Sequence, residues 1–158
     1  MRAETAIRLQ LAMDLGVEWR TDGPVPVQLP NGSKPEIDAV SVDGVTLAEI
    51  YAHQGPLKGG QVHKVARDVL KLITVVRGRP SAQLHIAFAS DAAAASASRG
   101  WLGEAFEIWG IQPRVVHVSD EIRRELEEAQ ARQRMVNATD EDELSGDAIP
   151  NEPGDSVE

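Results

Sequence analysis

Residues 35–71 read PEIDAVSVDGVTLAEIYAHQGPLKGGQVHKVARDVLK, and this stretch decides the fold. Residues 36–42 and 45–52 are two alternating apolar runs, joined by Asp43-Gly44, a dipeptide typical of a two-residue hairpin turn. A glycine-rich loop follows, and apolar residues then recur with helical spacing over residues 61–76. The sequence therefore predicts a β-hairpin followed by an amphipathic helix.

Each predicted strand of the hairpin carries one carboxylate among apolar neighbours, Asp38 in the first strand and Glu49 in the second. Acidic residues are rare in the middle of strands that otherwise belong to a core. For Asp38 the alternative is an acid at the sheet edge that faces solvent. Two carboxylates on adjacent strands can face one cleft, and Mg²⁺ typically takes one or two of them. The pattern predicts a shared site for Mg²⁺ or Mn²⁺.

The rest of the chain predicts a single α/β domain over residues 1–134. Its central mixed sheet would be flanked by helices on both faces. The elements predicted outside the hairpin and its following helix are a helix over 3–15, short strands over 17–20 and 25–29, a strand over 83–89, helices over 91–98 and 101–109, a strand over 114–118 and a helix from 119 to about 134.

The formal net charge of -9 is unevenly distributed along the chain. Residues 135–158 hold eight of the 25 acidic residues and no Lys or Arg, without apolar periodicity. This composition predicts a disordered acidic tail. The remainder is close to neutral, which neither requires nor excludes a nucleic-acid partner.

Several classes of site are excluded or disfavoured by composition. The chain has no cysteine, which excludes disulfides and cysteine-bound zinc, and its four histidines lack the spacing of a zinc site. The loop Gly55–Gly60 lacks the Lys-Ser/Thr pair of a phosphate-binding loop. The first ten residues do not form a signal peptide, and no apolar run could span a membrane, so we expect a cytoplasmic protein.

The hairpin and its flanks resemble the PD-(D/E)XK nuclease superfamily. The resemblance covers roughly residues 2–90 and is carried by a first helix bearing Glu4, then Pro35-Glu36-Ile37-Asp38, Glu49-Ile50-Tyr51 and a helix that begins with Gln61. It implies a restriction-endonuclease-like fold and Mg²⁺- or Mn²⁺-dependent endo- or exonuclease activity on DNA. It also implies that Asp38, Glu49 and Glu4 hold the metal, with assistance from Gln61.

The chain departs from the family pattern at Tyr51, where the third motif normally has a lysine that orients the attacking water. A phenol cannot supply a positive charge at neutral pH. In one interpretation the lysine has moved, and Lys64 or Lys58 reaches the cleft beside Gln61. In the other, hydrolysis is lost and the protein is a catalytically degenerate subunit that binds nucleic acid or another protein.

Three further features carry weaker expectations. Lys64, Arg67 and Lys71 form a basic ridge on the predicted helix, which we expect to be solvated or, at the rim of a cleft, to bind phosphates. The helix with Trp101 and Trp109 is expected in the core or at a homodimer contact, and Trp109 shares one face with Leu102 and Phe106. Glu4 and Arg8 are spaced for a surface ion pair.

Overall fold

The structure is a computed structural model that describes residues 3–145, with side chains up to Asn137. The chain divides into two units, residues 1–127 and 128–158, and the boundary falls within the last helix, so that residues 120–127 of that helix belong to the first unit and residues 128–145 to the second. The helices are α1 (Ala3–Leu15), α2 (Gly60–Val76), α3 (Asp91–Ala97), α4 (Gly100–Ile108) and α5 (Asp120–Ser145). The strands are β1 (Val25–Pro26), β2 (Glu36–Ile37), β3 (Ala39–Val40), β4 (Thr46–Tyr51), β5 (Gln83–Phe88) and β6 (Ile111–Val115).

The main sheet has the strand order β3-β4-β5-β6 and is mixed, as predicted. β3 and β4 pair antiparallel across the Asp43-Gly44 turn, and Gly44 has a φ of 72°, a left-handed conformation that suits glycine. β4, β5 and β6 are parallel and are connected through helices. β1 and β2 form a separate two-stranded sheet.

Helices cover both faces of the main sheet, which confirms the predicted α/β architecture. On one face, Leu47 and Tyr51 of β4 pack in one core with Val69 and Leu72 of α2 and with residues of α3 and α4. On the other face, α1 contributes Ile7 and Leu11, which pack on small residues. Those small residues are Ala39, Ala48, Ala87 and Ala89. Their short side chains let the helix approach the sheet closely.

Some sequence-based expectations differ from the structure. The predicted strand over 36–42 is interrupted at Asp38, which separates β2 from β3. Leu102 and Phe106 are buried, whereas Trp109, which the sequence predicts on the same helix face, is 54% exposed and lies outside the core; a homodimer contact through this residue stays a prediction. The predicted tail, residues 135–158, lies partly in α5, which reaches Ser145; residues 146–158 lie outside the described residues. Within the described part of the chain, no helix is long and apolar enough to cross a membrane.

Candidate functional site

Asp38 and Glu49 lie beside each other in the sheet. Ala39 pairs with Ala48, so the antiparallel register brings the preceding residue, Asp38, next to Glu49. The Oδ2 atom of Asp38 accepts a hydrogen bond from the backbone N–H of Ile50 at 2.8 Å. Asp38 is half-buried, and Glu49 is only 2% exposed. The interruption of the strand thus keeps the Asp38 carboxylate bound to the neighbouring strand, close to Glu49.

Helix α2 adds an acid and a lysine to this pair. The Nζ atom of Lys71 lies 2.9 Å from Oε1 of Glu49 and 3.6 Å from Oδ1 of Asp68, and it donates to the carbonyl of Glu36 at 3.0 Å. Asp68 is 5% exposed, and the Lys71 side chain is 27% exposed. We call Asp38, Glu49, Asp68 and Lys71 the acid–lysine cluster. It consists of three carboxylates around one ammonium group.

Burial and mutual repulsion dominate the electrostatics of this cluster. Burial, followed by the charge of Asp38, raises the pKa of Glu49 above its ordinary value, although Lys71 acts in the opposite direction. Burial also raises the pKa of Asp68, against the attraction of Lys71. Burial alone would lower the pKa of Lys71, but Glu49, Asp68 and Asp38 together raise it. Lys71 therefore remains a cation at neutral pH, and its charge holds the acids together.

The other residues predicted near the cleft lie around the start of α2. The Nε2 atom of Gln61 is 2.6 Å from Nε2 of His53, and its Oε1 accepts from the backbone N–H of Lys58 at 2.9 Å. The Nζ atom of Lys64 lies 5.4 Å from the ring centroid of Tyr51, a cation–π distance. Lys58 is exposed. Neither lysine has the contact with Glu49 that Lys71 makes.

Tyr51, which stands where the resemblance leads us to expect a lysine, is almost completely buried, with 3% exposure. Its ring contacts those of His53 and Phe88, at centroid distances of 5.9 and 5.8 Å. Its hydroxyl is buried and has no hydrogen-bond partner within the described residues. Burial raises the pKa of Tyr51 to about 12, so this side chain is neutral and supplies no charge to the site.

Glu4 and Arg8 of α1 do not form the expected surface pair. Glu4 is exposed. Helix α1 packs on one face of the sheet, whereas Glu49 projects from the opposite face, towards α2. Arg8 is 6% exposed; its Nε donates to the backbone carbonyl of Asp38 at 3.2 Å, and its Nη1 donates to that of Asp22. The prediction of a surface ion pair is wrong for Arg8, which instead holds the peptide group of Asp38 from the far side of the sheet.

Sequence reasoning missed Asp68 in this region, and it gave Lys71 and Arg8 other roles, in the basic ridge and in a surface ion pair. Asp68 lies three residues after Val65 and four before Leu72, within the apolar stripe of α2. Lys71 follows Asp68 by three residues, so the two share one side of the helix. Arg8 precedes Leu11 by three residues, but an arginine at the border of an apolar face can point either way.

The donor set was compared with the requirements of a divalent cation. Among the described residues, no group of three or more His, Asp or Glu side chains is arranged to hold a metal ion. Asp38 and Glu49 nevertheless offer two carboxylates, which is the number that Mg²⁺ typically takes from a protein. The Oε1 atom of Glu49 is buried and its neighbour is the ammonium of Lys71. The ammonium group of Lys71 is therefore a cation that already lies beside Glu49, where a bound metal ion would also be attracted.

Comparisons with known proteins gave no relative to guide the interpretation. No protein-family model, curated protein or solved structure matches the chain. The functional proposal below therefore rests on the acid–lysine cluster, on the residues that position it and on the resemblance of the motif residues.

Proposed function

We propose that the chain is a metal-dependent nuclease-like protein that binds DNA and hydrolyses its phosphodiester bonds at the acid–lysine cluster. The observation that carries the proposal is the meeting of two strand acids, Asp38 and Glu49, beneath a lysine of the following helix. Structural ion pairs on a protein surface need no such burial, whereas sites that bind cations and phosphate gather charges in this way.

Each member of the cluster has a distinct task in this proposal. Asp38 and Glu49 would hold Mg²⁺ or Mn²⁺, which when bound neutralises phosphate charge and lowers the pKa of its water. Lys71 presents a positive charge beside Glu49, where Tyr51 presents none, and so takes over from Lys64 and Lys58 as the candidate for the displaced motif lysine. Asp68 positions Lys71 from one helical turn away.

A second candidate function is favoured by the Lys71–Glu49 contact itself. With its ammonium 2.9 Å from Oε1, Lys71 places a positive charge against Glu49 without any metal, and Tyr51 replaces the motif lysine. In that case the domain is a catalytically degenerate subunit that binds nucleic acid or protein, and the cluster only stabilises the fold. The two candidates differ in one measurable property, the affinity for a divalent cation.

The decisive experiment is a calorimetric titration of the full chain with Mn²⁺ and then Mg²⁺. We expect one site in the wild type and an affinity loss of roughly tenfold or more in Asp38→Asn and Glu49→Gln, because each removes a carboxylate ligand. Glu36→Gln is the matched control, because Glu36 is an exposed acid on the neighbouring strand. This variant should bind the ion with the affinity of the wild type. Glu4→Gln tests the predicted support from α1.

Cleavage of plasmid and of single-stranded DNA under the same conditions then separates the two candidates. Metal binding with cleavage that Lys71→Met abolishes supports the nuclease. Metal binding without cleavage under either ion supports the degenerate subunit. If the wild type binds no ion and Glu49→Gln behaves identically, the enzyme proposal is discarded.

A further inference from the structure

A groove of about 780 Å³ lies at the carboxyl end of α2, apart from the acid–lysine cluster. One part of its lining is apolar and includes Val27, Leu29 and Val75. The rest of the lining includes neutral polar residues and two cations, Arg77 and Arg79, which follow the last turn of α2. A groove of this composition fits a ligand that combines an apolar body with a negative charge.

A third arginine lies close to Arg79, which is one of the residues that line the groove. Gly44, in the turn between β3 and β4, has Nη2 of Arg20 and Nη1 of Arg79 on one side. Both atoms lie 3.3 Å from the point that a Cβ on Gly44 would occupy. Two guanidinium groups that converge on one point repel each other unless an anion lies between them. Arg20 and Arg79 therefore form a pair in which an anion would relieve the repulsion.

No carboxylate of the described residues neutralises these arginines. The ion pairs found in this part of the chain involve other residues, at 4.0 Å or less. Asp43, next to Gly44, uses its Oδ1 to accept hydrogen bonds from Ser41 and from the backbone N–H of Val45. The positive charge at the groove is thus left for a ligand.

The groove is connected to the acid–lysine cluster by α2 and by the segment between β1 and β2. Lys71 bonds to the carbonyl of Glu36, and Val27 of the groove donates to the carbonyl of Pro35 at 2.9 Å. Along α2, Arg77 follows Lys71 by six residues, or about 9 Å at 1.5 Å per residue. A single extended ligand can therefore contact both places.

We propose that Arg20 and Arg79 form a phosphate-binding site at the mouth of this groove, which holds a backbone phosphate of the strand bound at the acid–lysine cluster. The forked guanidinium group matches the geometry of a phosphate and forms charge-assisted bonds to it. Val27, Leu29 and Val75 then offer an apolar wall to the adjoining sugar or base. That the phosphate belongs to a nucleic-acid strand rests on the proposed function; the anion site itself rests on the two arginines.

The test measures binding of a fluorescein-labelled single-stranded oligonucleotide by anisotropy at several salt concentrations, with Ca²⁺ in place of Mg²⁺ so that a divalent cation can occupy the acid–lysine cluster, and with phosphorothioate linkages that resist cleavage. In Arg20→Gln/Arg79→Gln we expect the Kd to rise about tenfold. The slope of log K against log salt should become shallower by about 0.7 for the one phosphate lost. The control is Arg99→Gln/Arg124→Gln, which removes the same charge from two exposed arginines elsewhere.

A parallel arm measures the Tm of each protein in inorganic phosphate and in chloride of equal ionic strength. If the oligonucleotide binds and the Arg20/Arg79 variant equals the control, this inference is overturned while the proposed function stands. If the oligonucleotide fails to bind but phosphate raises the Tm of the wild type and not of the variant, the anion site is supported. The assignment of its phosphate to a nucleic-acid strand is then overturned. If neither ligand has an effect, both are overturned.

Discussion

The two faces of the main sheet both bury charged or titratable groups, and they use them differently. On the α2 face, Glu49, Asp68 and Lys71 are paired with one another. On the α1 face, Arg8 bonds to backbone carbonyls, and the ring nitrogens of His85 have no partner within the described residues. Burial of a polar group therefore does not mark a site by itself. A stronger indication of a site is a group of buried side chains of opposite charge in which each compensates the charge of another.

The largest expected effect breaks that dependence on the α2 face. Lys71→Met removes the ammonium that compensates two buried acids, so we expect a loss of about 3–4 kcal/mol in the free energy of unfolding. The measurement is a urea titration followed by circular dichroism. Lys64→Met is the matched control on the same helix, and its exposed lysine should cost less than about 1 kcal/mol.

A double-mutant cycle then tests the coupling itself. Burial raises the pKa of Glu49 to about 9, so Glu49→Gln should recover part of the loss in Lys71→Met when the titrations are run above pH 9, where a charged Glu49 would be left uncompensated. If Lys71→Met is as mild as Lys64→Met, or if the two changes simply add, the buried acids of the α2 face are independent of each other and the contrast between the faces disappears.

The next effect concerns Arg8 on the opposite face. Arg8→Met keeps most of the aliphatic stem but leaves the carbonyls of Asp38 and Asp22 without their donor, for a loss of about 2–3 kcal/mol. Urea titration measures it, with exposed Glu4→Gln as the control on the same helix. Glu49→Gln should give no recovery here. If Glu49→Gln restored stability to Arg8→Met, the charged groups on the two faces of the sheet would belong to one network and would not be independent.

The smallest effect is a pH dependence from His85, which is 1% exposed. Burial, followed by the charge of Arg114, lowers the pKa of His85 to about 4, against an ordinary value of 6.5. The neutral ring is favoured in the folded state, so its contribution to stability is complete above pH 6.5 and is lost as the pH falls towards 4.

Between pH 7 and pH 5 we expect His85 to lower the free energy of unfolding by about 1–2 kcal/mol. Urea titrations of the wild type and His85→Leu at both pH values measure this contribution as the difference between the two slopes. His117→Leu is the control, because that histidine is exposed. If the stability of the wild type and of His85→Leu depended equally on pH, the lowered pKa of His85 would be contradicted.

The sequence predicted those helices and strands in which apolar residues recur at a regular spacing. The alternation around Glu49 and the helical spacing of Val65, Val69 and Leu72 correspond to β4 and α2. Asp38 and Glu49 stood out because carboxylates interrupt apolar runs, and the structure brings them side by side. Whether they bind a metal stays a prediction, as does the restriction-endonuclease-like fold.

The residues that the sequence could not assign are those with long, flexible, cationic side chains. Arg8 and Lys71 lie at the border of an apolar stripe, where such a side chain can either bury its charge or extend into water. The outcome depends on acceptors from distant strands, at Asp38 and Glu49, and those contacts exist only once the sheet is assembled. Trp109 shows the converse, an apolar residue with helical spacing that stays exposed.

The hydrogen bond from Nε1 of Trp19 to the carbonyl of Arg8, 2.7 Å long, turns that indole into an optical probe. Arg8 in turn holds the Asp38 peptide, so a rearrangement of Asp38 alters the surroundings of Trp19 across the thickness of the sheet. With Trp101 and Trp109 changed to phenylalanine, the remaining fluorophore would report on a carboxylate that it never touches, without any dye.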